Sequence, residues 1–157
     1  IPDYITQMTG ITDLMLAKAP VIDEILPAFL EFAGKHNEVI IVAHNAPFDL
    51  SFLKSAAKEL EITWPKYKTL DTVTIARQIL TKEEVPNCKL QTLAQYFGTN
   101  TQPNHRALDD AKATTEILHG LLERLGSFDV NTVDALMEFA KTAAHIQRQN
   151  YWGLSSI

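Results

Sequence analysis

The chain has 157 residues, 46% hydrophobic and 21% charged, ordinary composition for about one globular domain, which excludes disordered, collagenous and low-complexity classes. Nineteen acidic against fourteen basic residues leave a formal charge of −5, which excludes the broad phosphate attraction of a basic nucleic-acid binder; any nucleic-acid chemistry needs a local site. The single cysteine, Cys88, excludes an intrachain disulfide framework and a zinc ribbon, and no apolar stretch approaches the ~20 residues of a membrane span.

In chain order, residues 1–8 are compatible with an extended segment, Thr9-Gly10 signals a turn, and Thr12-Asp13 can cap a short helix through Lys18. Ile22, Ile25, Leu26, Phe29, Leu30 and Ala33 fall at helical spacing, with a kink expected at Pro27 and an end at Gly34. Val39 to Ala43 is an unbroken, mostly β-branched run of buried-strand type. Helical period returns from about Asp49, with Leu53, Ala56, Ala57 and Leu60 on one face. Tyr67 to Leu70 predicts a second strand and Thr72 to Leu80 a helix, before Val85-Pro86-Asn87 breaks the pattern. Leu90, Leu93, Ala94 and Phe97 predict a helix stopped by Gly98, and Thr99 to Asn104 a polar turn. The longest helix follows, with Ala107, Leu108, Ala111, Leu118, Leu121, Leu122 and Leu125 assigned to its buried stripe. Asn131-Thr132 predicts the N-cap of a last helix carrying Val133, Leu136, Met137, Ala140 and Ala144, and the tail after Gln149 reads as loose. Strands alternating with helices predict an α/β fold with a largely parallel sheet. Two strands against about six helical segments is too few for such a sheet, so strands are hidden in weak segments or lie outside this chain.

Two segments share one spacing. His44-Asn45-Ala46-Pro47-Phe48-Asp49 and His105-Arg106-Ala107-Leu108-Asp109-Asp110 each place an Asp five residues after a His. The first sits where a strand ends and a helix begins, the end of an α/β sheet at which sites are built. Asp49 precedes Leu53, and Asp110 precedes Thr114, Ile117 and Leu121, on the expected inner side of each helix. Inward carboxylates are costly unless paired or metal-bound, and two on facing helices could share Mg²⁺ or Mn²⁺, which prefer oxygen ligands. Plainer roles fit the same residues: Asp49 as a helix N-cap, His44 as a structural histidine, His105 at a helix start by chance, and Asp109 on a solvated face. The residues alone lead no further than a candidate carboxylate metal site at a strand end, with the plainer roles open beside it.

These segments resemble a known family. The run from His44 to Asp49, with Leu50 and Phe52-Leu53, resembles the second motif of the DEDDh 3′–5′ exonucleases, whose members include the epsilon proofreading subunit of bacterial replicative DNA polymerase. His105 to Ala111 resembles their third motif, H-x-A-x-x-D-A. Met8-Thr9-Gly10-Ile11-Thr12 resembles the family's T-G-I segment, and Leu70-Asp71-Thr72 with Ala76-Arg77 a further element, all in the family's order.

The resemblance implies a ribonuclease H-like fold, a mixed sheet flanked by helices, with an exonuclease domain over residues 1–126 and a C-terminal helix and tail over 127–157 that could join a downstream domain. It implies Asp49 and Asp110 as metal ligands, His105 as the general base toward the attacking water, and Met8, Thr9, His44, Asn45 and Phe48 as substrate-binding residues. The implied cofactor is a pair of Mg²⁺ or Mn²⁺ ions about 4 Å apart, and an imidazole, which ordinarily titrates near neutrality, suits the proton transfer. The implied substrate is the 3′ end of single-stranded DNA, with a polymerase or repair partner, no membrane, and a bacterial cytoplasmic setting. The family's first motif, D-x-E-T-T-G, is absent: Asp3 is the only Asp before the T-G-I segment and has no Glu two positions on. That motif supplies two of the family's four carboxylates, so the chain is expected to lack roughly 50 upstream residues with their strands, to hold metal weakly, and to be inactive or nearly so alone. The alternative is a non-catalytic nucleic-acid-binding or polymerase-docking module of the same fold. Residues 121–126, the last helix and Tyr151 to Ile157 resemble the region that joins such exonucleases to GIY-YIG nucleases in fused bacterial proteins.

Overall fold

β-branched residues suit a pleated strand, and the run Ile40–Ala43 forms β1. A computed structural model, which describes residues 1–150, pairs it in parallel with β2, Lys68–Asp71, in the register Ile40 to Lys68 and Ala43 to Asp71. Parallel neighbours require a crossover, and α4, Ala46–Glu59, supplies it. Before the sheet come α1 (Asp3–Thr9), α2 (Asp13–Leu16) and α3 (Ile22–Ala33). After it come α5 (Thr72–Ile79), α6 (Leu90–Phe97), α7 (Ala107–Gly126) and α8 (Val133–Asn150). The α/β class and the parallel pair are as expected.

Several ends follow from local chemistry. The Thr12 hydroxyl accepts from the Met15 N–H to cap α2, and the Thr132 hydroxyl accepts from the Ala135 N–H to cap α8. Gly98 ends α6 at φ 64°, a conformation that a side chain disfavours. The core lies where α5, α6 and α7 meet under β2: Leu70, Ile75, Ile79, Leu93, Ile117, Leu121 and Leu125 are buried. Burying a side chain of this kind is worth about 1.5–3 kcal/mol. Val130, Leu136, Met137, Phe139 and Ala140 pack against the same core, so the start of α8 is part of it. Gly120 on α7 sits against the Phe97 ring, where an added Cβ would come within 2.4 Å.

The structure departs from the sequence expectations at five places. Residues 3–9 are helical rather than extended: Asp3 favours the first turn of α1, and Gly10 at φ 69° closes it. Helix α4 begins at Ala46, ahead of Asp49. The buried stripe of α7 runs through Ala113, Thr114, Ile117, Leu121 and Leu125, while Leu108, Ala111 and Leu122 are exposed because the helix meets α5 and α6 on its other face. Every residue of β1 is half-buried, because β2 is its only strand neighbour among the described residues. Pro27 lies inside a continuous α3. The side chain of Ala144 and the tail expectation fall outside what is described.

A polar knot closes the side of this core. Arg124 of α7 bonds the Glu84 carboxylate, the Tyr96 hydroxyl of α6 and the Ile79 carbonyl, and Tyr96 also donates to Glu84. The Thr81 N–H above all, with Tyr96 and Arg124, holds the Glu84 carboxyl down at about 2, from an ordinary 4.5. A depressed carboxyl contributes stability that is complete above its ordinary value and is lost as pH falls toward the folded one. Acid titration followed by circular dichroism should therefore show wild type losing more stability than Glu84→Gln on going from about pH 5 to pH 2. Equal losses would remove Glu84 from the acid response.

Candidate active site

Ala43 and Asp71 end the two strands side by side, and the chain turns there into α4 and α5. The Asp71 carboxylate organises both turns. Its Oδ1 accepts from the N–H of Val73 at 3.1 Å, capping α5, and from those of Asn45 at 2.9 Å and Ala46 at 3.4 Å, fixing the start of α4. Its Oδ2 accepts from the Thr74 hydroxyl at 3.0 Å. Asn45 has φ 68°, a left-handed turn that Asn tolerates better than most residues.

His44 is half-buried beside this hub, with Nδ1 2.9 Å from the Thr72 hydroxyl, which lies 3.3 Å from the Ala43 carbonyl. Burial pushes the His44 pKa below its ordinary value, helped by the Arg77 charge and opposed by Asp71, a backbone bond to Cys88, and Asp110. Its ring is thus occupied within the fold. Asp49 is exposed, a correction to the inward placement expected for it: α4 packs on α3 and the strands through Ala46 and Ala57, and Asp49 lies off that face. Partial desolvation of the Asp49 carboxyl, reinforced by the Asp71 charge and opposed by its own backbone N–H, raises its pKa.

The second His–Asp segment repeats the first at a helix start. His44 and His105 each stand two residues before the first helical residue, and Asp49 and Asp110 are each the fourth residue of their helix. Asp110 is half-buried, and its Oδ1 accepts from the Asn104 N–H at 3.1 Å. Asp109, expected on a solvated face, is half-buried and accepts from Asn104 Nδ2 at 2.8 Å. His105 is exposed, with φ 63°. The preceding loop is pinned by Glu116, which accepts from the N–H groups of Asn100 and Thr101.

Arg106 Nη1 donates to the Thr9 carbonyl at 3.1 Å and brings the end of α1 to the start of α7. The Thr9 hydroxyl donates to the Ile5 carbonyl and accepts from the Ile11 N–H, so its side chain serves that turn. Met8 is 47% exposed, and Phe48 is 59% exposed in edge contact with Phe52, both open to a ligand. An open groove of about 520 Å³ is lined by Ile11, Met15, Leu16 and Ala19 together with residues 106–109.

The expected residues thus divide. His44 and Asn45 belong to the Asp71 hub, Asp110 acts electrostatically on His44, and Met8 and Thr9 lie toward the His105 side through Arg106. The facing-helix arrangement expected for the two aspartates is not the main packing: α4 rests on α3 and the strands, and α7 on α5 and α6. Among the described residues no group of three or more His, Cys, Asp or Glu side chains is placed to hold a metal ion. The roles of Asp71, Asn104 and Arg106 were not assigned from sequence; an Asp ahead of a helical run at Thr72 was the available capping signal for the first.

The α/β unit is of the ribonuclease H-like class, as comparison with known families shows. The RNase T model, described as an exonuclease, matches residues 1–118; the chain belongs to this exonuclease family, a family of nucleases. It is 45% identical over 148 residues, 94% of its length, to a putative bifunctional exonuclease/endonuclease protein of Mycobacterium tuberculosis, of which it covers 22%. It is 43% identical over 136 residues to a PolC-type DNA polymerase III of Caldanaerobacter subterraneus, 87% of this chain and 9% of that one. With the DNA polymerase III subunit epsilon of Aquifex aeolicus the identity is 37% over 125 residues, 80% of this chain and 59% of that one. The chain thus spans under a quarter of the first two relatives. No helix among the described residues is long and apolar enough to cross a membrane.

Removal of the hub carboxylate should be measurable. Asp71→Ala is expected to lower unfolding free energy by about 2 kcal/mol, and Asp71→Asn by less because it keeps an acceptor oxygen. Urea denaturation decides it; an unchanged midpoint for Asp71→Ala would show that these bonds contribute nothing net.

Proposed function

We propose that residues 1–126 are a DEDDh-type 3′–5′ exonuclease unit that hydrolyses terminal nucleotides of single-stranded DNA, in proofreading or repair. The observation that carries this reading is the matched placement of Asp49 and Asp110, each at the fourth position of a helix that a histidine precedes by two residues. In this reading His105, exposed at the start of α7, takes the proton from the attacking water. The exposed Phe48 ring and Met8 flank the terminal nucleotide, and Thr9 and Asn45 shape its walls through their backbones. His44 sets the strand end from within.

Mg²⁺ or Mn²⁺ is the cofactor of such chemistry, and holding a pair of ions takes carboxylates beyond Asp49 and Asp110. Assayed as 157 residues, the chain therefore binds these ions weakly and is inactive or nearly so. Helix α8 leads toward a downstream domain in this reading, which the exonuclease/endonuclease name of the mycobacterial relative supports. The polymerase III names of other relatives favour a polymerase or repair partner and a bacterial cytoplasmic setting. The absence of a three-ligand group among the described residues favours a second reading, a nucleic-acid-binding module without catalysis.

The test uses the full-length protein, Mn²⁺ and a 5′-labelled single-stranded oligonucleotide. Stepwise shortening from the 3′ end is expected, abolished by Asp110→Asn and by Asp49→Asn. His105→Ala should lower turnover on the order of 10²–10⁴ while leaving Mn²⁺ affinity nearly unchanged. Equal activity in wild type and Asp110→Asn would take Asp110 out of the reaction, a large loss of Mn²⁺ binding in His105→Ala would make His105 a ligand, and binding without shortening would establish the second reading.

A further inference from the structure

The segment around His105 is tied by a residue that the proposed chemistry leaves unused. His105 has φ 63°, in the left-handed region that glycine and asparagine occupy more readily than histidine. Among the described residues its ring has no hydrogen-bond partner, so the region of space that the imidazole can reach is set by the backbone that carries it. That backbone is held from one side by Asn104. Its Oδ1 accepts from the Arg106 N–H at 3.0 Å, closing an Asx turn over His105. Its Nδ2 donates to Asp109 Oδ2 at 2.8 Å, and its own N–H donates to Asp110 Oδ1 at 3.1 Å. From the other side, Arg106 Nη1 is fastened to the Thr9 carbonyl. Three of the four hydrogen-bonding groups of Asn104 are thus spent on bracketing one residue and on the two carboxylates of the helix turn that follows.

We propose that Asn104 is the positioning residue for His105, the clip that keeps an uncomfortable backbone conformation in place and so aims the imidazole at the attacking water. This rests on the reading of His105 as the general base. Removing the amide leaves the Asn104 N–H bond to Asp110 intact and opens the Asx turn, which lets His105 relax to negative φ and swings its ring away. Displacements of about 1 Å in a reacting group are enough to cost up to 10²-fold in rate.

The experiment is a double-mutant cycle in the full-length protein, with the labelled oligonucleotide and Mn²⁺, comparing wild type, Asn104→Ala, His105→Ala and the double variant, with thermal unfolding of each followed alongside. Asn104→Ala is expected to lower kcat about tenfold with little change in KM, and to have no further effect on kcat once His105 is Ala. Asn104→Ser, whose hydroxyl can still accept from the Arg106 N–H, should recover most of the loss and serves as the folded comparison if the alanine variant is unstable. The proposal is overturned if Asn104→Ala lowers kcat by the same factor in both backgrounds, if it acts on KM instead, or if Asn104→Ser is as impaired as the alanine variant. A kcat unchanged by Asn104→Ala, with His105→Ala strongly impaired, overturns this proposal alone. Wild-type turnover in His105→Ala overturns both it and the general-base reading.

Discussion

Four donors from two helices and their connecting turns converge on the side chain of Asp71, and the geometry of the strand ends depends on that convergence. A helix start leaves N–H groups without partners inside the helix, and their partial positive charge favours a carboxylate. Here one carboxylate serves two starts: it caps α5 directly and reaches across the parallel register to the N–H groups of Asn45 and Ala46. Because Ala43 and Asp71 are register partners, that reach is short. His44 and Asp49 occupy fixed places relative to the sheet as a result, and the same charge acts on both of them.

The two His–Asp segments reach similar positions by different support. The first is braced by the strands and the Asp71 hub; the second is braced by a loop that folds back on its own helix through Asn104, Asp109 and Asp110. Behind the second lies the best-buried part of the molecule, where α7 packs on α5 and α6. The first turn of α7 therefore stands on a packed base, while its polar side chains are held by short polar contacts. Such contacts orient a group without contributing much to global stability, since each is worth about 1 kcal/mol net.

Much of the fold was legible in the sequence, for reasons that can be named. Helices α2, α6 and α8 announce themselves by Thr12, Gly98 and Thr132, whose capping chemistry is local and survives into the structure. β1 and β2 are legible as runs of the right composition, yet β1 is less buried than its Ile40-Ile41-Val42 sequence suggests, since burial depends on neighbours that a single segment does not encode. The stripe of α7 was misassigned because Leu108, Ala111 and Leu122 look as apolar as the residues that are buried. Thr114, expected on the inner side with Ile117 and Leu121, is buried, and its hydroxyl donates to the Asp110 carbonyl at 2.8 Å. The same limit explains the site: the spacing located His44, Asp49, His105 and Asp110, but hydrogen bonds spanning about 26 residues, as from Asp71 to Asn45, have no signature in local pattern.

The left-handed backbone at His105 sets the interests of fold and site against each other. A glycine there would adopt φ 63° without its Cβ crowding the chain, so the substitution that best suits the local conformation is also the one that deletes the imidazole. Screening variants of this domain for thermal resistance alone would reward that exchange, and improved melting behaviour would then accompany the loss of whatever the side chain does.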